Sequence, residues 1–179
     1  ELMIEAGVNP EAIILLPGGG RMGGVMIAHP DVAGVAFTGS TEVAWGINRT
    51  LAAKDRPIVP LIAETGGQNA MIVDSSALAE QVVADCIASA FDSAGQRCSA
   101  LRVLCLQDEI ADHVLTMVKG AMAELRLGAT DTLANDIGPV ITDEARQGIE
   151  AHVAGMAARG CAVHRLPLPA SAAQGHFVA

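Results

Sequence analysis

Apolar residues along this chain change spacing repeatedly, dividing it into short extended runs and longer amphipathic stretches. From Ser76 onward, Leu78, Val82, Cys86, Ile87, Ala90 and Phe91 recur at helical spacing while Glu80, Asp85 and Asp92 take the other face, which predicts a helix ended by Gly95. Ile110, Val114, Met117, Ala121 and Leu125 repeat the pattern up to Gly128. A third such helix starts at Thr142, a capping residue followed by Asp143 and Glu144, and stops at Gly160. Nearer the N-terminus one helix ends at Gly7 with Pro10 beyond it, a short one covers about 23–29 before Pro30, and another opens at Gly39-Ser40-Thr41 and runs to about Lys54. Between these lie apolar runs of strand length at 13–16, 34–38, 58–63, 70–73, 101–106 and 161–166. Pro60 suggests an edge or a bulge, 64–67 reads as a turn, and 167–175 reads as loop. Strands alternating with helices predict βαβ units and a parallel sheet, an α/β fold.

The length of 179 residues suits one domain or two small ones, and 51% apolar against 17% charged residues excludes a disordered chain. Eleven scattered basic residues against twenty acidic ones, a net charge of −9, argue against nucleic acid or an anionic membrane surface as partner. No apolar run approaches the ~18 to 20 residues that span a bilayer. The four cysteines form no CxxC pair and no disulfide framework, and no signal peptide is evident, so a reducing cytoplasm is the expected home. Both ends read as cut: Glu1-Leu2-Met3-Ile4 reads as the end of a helix already under way, and 175–179 stop inside an apolar stretch. A piece of a larger protein is expected.

Four places carry candidate chemistry. Gly18, Gly20 and Gly24 fall between a predicted strand and a helix, where bare amides and the positive helix end can approach a phosphate; a glycine-rich turn without ligand is the alternative. Gly39 and Ser40 form a second strand-to-helix junction, with Ser40 either a plain cap or a ligand group as well. Cys98 sits on a connection, in Gly95-Gln96-Arg97-Cys98-Ser99, and is either a free structural cysteine or a nucleophile. An unperturbed thiol is only ~3% thiolate at pH 7, so a nucleophile there needs positive charge or amide dipoles nearby. Cys86, Cys105 and Cys161 fall in predicted regular elements and read as inert core residues. Glu64 ends an apolar run just before two glycines, which suits either a general base or a salt-bridged strand end. The five histidines show no metal-ligand spacing beyond one weak Cys161-x-x-His164, and no metal site is expected.

Taken together, PGGG at 17–20, FTGST at 37–41, ETGGQNA at 64–70, GQRCS at 95–99 and IGPVI at 137–141 resemble the aldehyde dehydrogenase superfamily. The stretches 62–78 and 93–103 look most like the L-glutamate γ-semialdehyde dehydrogenase domain of bifunctional proline utilization A enzymes; general aldehyde dehydrogenases usually have Leu in place of Thr65 and Lys in place of Gln68. The resemblance implies parallel sheets flanked by helices, with 1–65 the C-terminal half of a Rossmann-like NAD-binding domain and 66–179 the N-terminal part of a catalytic domain. It implies Cys98 as nucleophile and Glu64 as base, with Gly20, Gly39, Ser40 and Val43 around the adenosine and pyrophosphate of NAD. Thr65 is then near the nicotinamide, and Ser99 beside the nucleophile resembles a residue that binds the substrate carboxylate.

The implied reaction is NAD-dependent oxidation of a small-molecule aldehyde, L-glutamate γ-semialdehyde, to L-glutamate in proline catabolism. The resemblance implies a homo-oligomeric parent, with fusion to a proline dehydrogenase domain as one arrangement it suggests. The family's second oxyanion donor, an asparagine, and its ribose-binding lysine fall before Glu1, and its downstream glutamate motif and substrate anchor loop fall after Ala179. The isolated chain is therefore expected to be inactive. A noncatalytic dinucleotide-binding or assembly module is the competing reading, and a thiol hydrolase, which lacks an evident Cys-His pair, is a third.

Overall fold

The computed structural model describes residues 1–179 and divides into two units, Glu1–Thr65 and Gly66–Ala179, each built on one parallel β-α-β connection. The first contains α1 (Leu2–Glu5), α2 (Gly20–Ala28), β1 (Val35–Gly39), α3 (Thr41–Ala52) and β2 (Leu61–Thr65). β1 and β2 pair in parallel, with Val35 beside Leu61 and Gly39 beside Thr65. Parallel neighbours need a crossover, and α3 supplies it. Its buried residues Ala44, Ile47 and Leu51 are spaced three and four apart, so one stripe faces inward. The Ser40 hydroxyl caps the helix by accepting from the Val43 amide at 3.2 Å, a contact worth about 1 kcal/mol. At the other end, Lys54 Nζ donates to the His29 carbonyl at 2.9 Å and ties the end of α3 to that of α2.

The second unit contains β3 (Asn69–Val73), α4 (Ala79–Phe91), β4 (Leu101–Leu106), α5 (Asp108–Glu124) and α6 (Asp143–Ala158). β3 and β4 pair in parallel with a register shift between Asn69 and Ala70. Val73 and Leu101 from the sheet, Val82, Val83 and Cys86 from α4, and Val114 and Val118 from α5 form one core. Val114 is fully buried, and burying such a side chain contributes ~1.5–3 kcal/mol. Thr142 caps α6 through the Ala145 amide at 3.2 Å, and the Arg146 guanidinium beside Asp143 holds that carboxyl below its usual range. Arg165 reaches back to α6 and makes two 2.7 Å bonds to the Glu150 carboxylate.

Several local readings change. Residues 13–16 form no strand, and Leu15 is 86% exposed: a parallel strand exists only against a neighbour, and this sheet consists of β1 and β2 alone. Residues 161–166 likewise join no ladder. Glu64 and Thr65 are the last residues of β2, so the turn starts only at Gly66. α2 begins at Gly20, a few residues earlier than its apolar pattern predicts. α4 stops at Phe91, and a separate 3₁₀ turn, Asp92–Gly95, follows, in which Ser93, Ala94 and Gly95 have φ of 57°, 53° and 66°. No helix is long and apolar enough to cross a membrane.

Candidate functional site

In the first unit, the parallel register pairs Thr38 with Glu64 and Gly39 with Thr65. Two of the singled-out motifs thus end side by side at the carboxyl edge of the sheet, where ligands of open α/β sheets bind. Glu64 is exposed and Thr65 half-buried. Ser40 follows at once; its capping bond occupies an acceptor lone pair and leaves the hydroxyl hydrogen to donate elsewhere. Both readings of Ser40 are compatible with this geometry.

A cavity of about 530 Å³ lies in the same unit, lined by Gly18, Gly19, Gly20, Gly23 and Gly24, by Phe37, and by Val43, Gly46 and Ile47 of α3. That volume is within the range of small-molecule sites. A Cβ added at Gly19, Gly20, Gly23, Gly24 or Gly46 would meet nothing within 4 Å, so these glycines leave open the room that side chains would take. α2 starts at Gly20, and the first amides of a helix have no intrahelical acceptor. Space bordered by free amides suits a nucleotide with a phosphate.

In the second unit, Cys98 and Ser99 are exposed on the loop between the left-handed turn and β4. Four side chains hold that loop. Asn69 Nδ2 donates to the Cys98 carbonyl at 2.8 Å and to the Ala100 carbonyl at 2.9 Å. The Arg97 guanidinium donates to the Ala88 and Ser89 carbonyls at 2.7 and 3.1 Å, so its charge is directed at α4. Arg102 donates to the Gly95 carbonyl at 2.7 Å. Gln96 accepts from the Ile141 amide at 2.8 Å and donates to the Ser93 carbonyl at 3.1 Å, which ties the IGPVI segment to the loop. A side chain at Gly95 would be strained here, because its φ is +66° and a Cβ would lie 2.8 Å from the Ala90 carbonyl oxygen.

The other thiols differ from one another. Cys86 is buried, and burial pushes its thiol up, in keeping with an inert core residue. Cys105 and Cys161 are exposed, which corrects the expectation of core cysteines. Side chains alternate along a strand: Leu104 and Leu106 pack on the core, and Cys105 between them points to the other face. Cys161 follows the end of α6 in irregular chain. No group of three or more His, Cys, Asp or Glu side chains comes together to hold a metal. Asn69, Gln96 and Arg102 were not singled out by the sequence; the first two lie inside the ETGGQNA and GQRCS stretches, which is the signal that could have found them.

The model of the aldehyde dehydrogenase family matches residues 1–179. The bifunctional protein PutA of Escherichia coli strain K12 is 62% identical over 164 residues, which cover 89% of this chain and 12% of that protein. Thus the chain spans only about an eighth of that relative's length. Among solved structures, a point variant of Bradyrhizobium japonicum proline utilization A superposes with a TM-score of 0.92 at 54% identity, covering 99% of this chain and 18% of that one. Betaine aldehyde dehydrogenase from Staphylococcus aureus, solved in complex with NAD+, gives a TM-score of 0.89 at 29% identity, covering 98% of this chain and 35% of its own.

Proposed function

This chain belongs to the aldehyde dehydrogenase family, and from that premise we propose that the protein it is part of oxidises L-glutamate γ-semialdehyde to L-glutamate with NAD+, in proline catabolism. The observation that carries the proposal is the state of Cys98, an exposed thiol on a loop whose backbone is fixed by Asn69, Arg97, Arg102 and Gln96. Similarity to bifunctional PutA proteins supports the substrate, and a family member solved with NAD+ supports the cofactor.

The residues present fit that cofactor. The glycine-lined cavity and the start of α2 at Gly20 suit its adenosine and pyrophosphate, with Val43 on the cavity wall and Gly39 and Ser40 at the second junction. Thr65, beside Gly39 at the end of the sheet, is assigned to the nicotinamide side. When bound, NAD+ supplies the hydride acceptor that converts a thiohemiacetal into a thioester.

In this reading the Cys98 thiolate attacks the aldehyde carbon and forms the C–S bond, while the Cys98 amide donates to the oxygen that becomes negative. One such donor is worth ~3 to 4 kcal/mol in other enzymes. Ser99 offers its hydroxyl to the substrate carboxylate. Glu64 takes a proton from water, which attacks the thioester carbon; the C–S bond breaks and Cys98 leaves as thiolate. The natural setting for this chemistry is the cytoplasm, within a homo-oligomer that also carries a proline dehydrogenase domain. Full-length protein incubated with glutamate semialdehyde and NAD+ should form NADH in step with glutamate. NAD+-independent ester cleavage without NADH would instead favour a thiol hydrolase.

A further inference from the structure

Two peptide planes meet at the Cys98 Cα, and both are fixed. The plane before it is held at the Arg97 carbonyl, which accepts from the Ala100 amide at 3.2 Å and from Arg102 at 3.4 Å. The plane after it is held at the Cys98 carbonyl by Asn69 Nδ2 at 2.8 Å. The same nitrogen uses its second hydrogen on the Ala100 carbonyl at 2.9 Å, so one amide group clamps the two carbonyls on either side of Ser99. Fixing both planes fixes φ and ψ of Cys98, and with them the directions of its Cα–Cβ bond and of its own N–H.

We propose that Asn69 is a positioning residue for the Cys98 nucleophile: it sets the angle at which the thiol and the Cys98 amide are presented to the aldehyde, without touching the substrate. This rests on the reading of Cys98 as nucleophile. A side chain with two hydrogens on one atom is required, since two carbonyl oxygens converge on it. Asn69 stands at the register shift that opens β3, so its place in the ladder is set by the sheet rather than by the loop. The loop is thereby referenced to a rigid element.

The variant Asn69→Asp keeps the shape, loses both donors and brings a carboxylate against two carbonyl oxygens. In full-length enzyme it should lower kcat about 30-fold or more while KM for the aldehyde changes less than about threefold, since the lost alignment acts on the reacting geometry. Iodoacetamide labelling across a pH series, read by peptide mass spectrometry, provides the second measurement, with exposed Cys105 and Cys161 as references in the same sample. Labelling of Cys98 relative to Cys105 should fall about tenfold, and its midpoint should move to higher pH because an anion opposes thiolate formation. Asn69→Ser, which has one hydrogen to donate and brings no charge, should fall between Asn69→Asp and the native enzyme in kcat and in labelling rate, and it decides the matter alone if the aspartate variant does not fold. Native labelling kinetics at Cys98 in both variants would overturn the proposal, even if turnover fell. The reading of Cys98 itself fails differently, by Cys98→Ala retaining NADH formation.

Discussion

The two units share one connection, strand to helix to parallel strand, yet Gly20, Gly23 and Gly46 of the first and Gly95 of the second are small for opposite reasons. In Glu1–Thr65, Gly20, Gly23 and Gly46 border empty space, and α3 buries only Ala44, Ile47 and Leu51. In Gly66–Ala179, Gly95 is pressed against the Ala90 carbonyl at 2.8 Å, and sheet and helices close over a continuous core around Val114. The first arrangement keeps room that packing would remove, which a bound cofactor needs. The second pins a backbone, which a reactive side chain needs. Under the proposed function, stability and reception of a ligand are divided between units of the same topology.

The sharpest way to break this division is at the thiols. In the full-length protein, Cys98→Ala should lower steady-state NADH formation by about 10⁴-fold or more, the scale of losing a nucleophile. Cys86→Ala, Cys105→Ala and Cys161→Ala should stay within about fivefold. A loss at Cys105 equal to that at Cys98 would remove the loop from the chemistry. Next in size is Glu64→Gln, expected to cost ~10²–10⁴ in turnover because an amide takes no proton from water. Its pre-steady-state NADH burst should persist, and a vanished burst would contradict the assignment.

The glycines test the comparison directly. Gly95→Ala should destabilise by about 1–3 kcal/mol, measured by the denaturant midpoint, since the alanine must hold positive φ against a carbonyl. Gly46→Ala, inside α3 with open space beside it, should instead gain up to ~1 kcal/mol from helix propensity. If both changed stability in the same direction, the contrast between open and crowded glycines would be wrong. Cofactor affinity gives an effect of similar size: Gly46→Leu fills part of the cavity and should weaken NAD+ binding about tenfold by calorimetry, ~1.4 kcal/mol, without lowering the melting temperature.

What the sequence made legible is local. Ser40 and Thr142 announce their caps, the spacing of Val82, Cys86, Val114 and Met117 announces buried stripes, and residues 101–106 form the strand their pattern predicts. The misreadings are nonlocal. Residues 13–16 have the composition of a strand but no neighbour to pair with, and pairing is not written in the segment itself. Cys105 sits in a strand as expected, but alternation does not say which face the helices cover. At the candidate site the chemical groups were readable from their motifs, whereas the side chains that hold them were not. Asn69 acts on a carbonyl 29 residues away and Gln96 on an amide 45 residues away, and such reach appears only once the sheet is built.

The left-handed turn at 93–95 also depends on chain far from it. L residues resist that handedness by ~1–2 kcal/mol each, so the turn does not nucleate on its own. The groups around it arrive from distant chain: Gln96 is tied to Ile141, and that loop closes across 45 residues. Contacts of long sequence separation form late, while α4 and α5 form from local contacts. The bonds from Asn69 and to Ile141 that hold the Cys98 loop are therefore available only once the sheet and the downstream segment are in place.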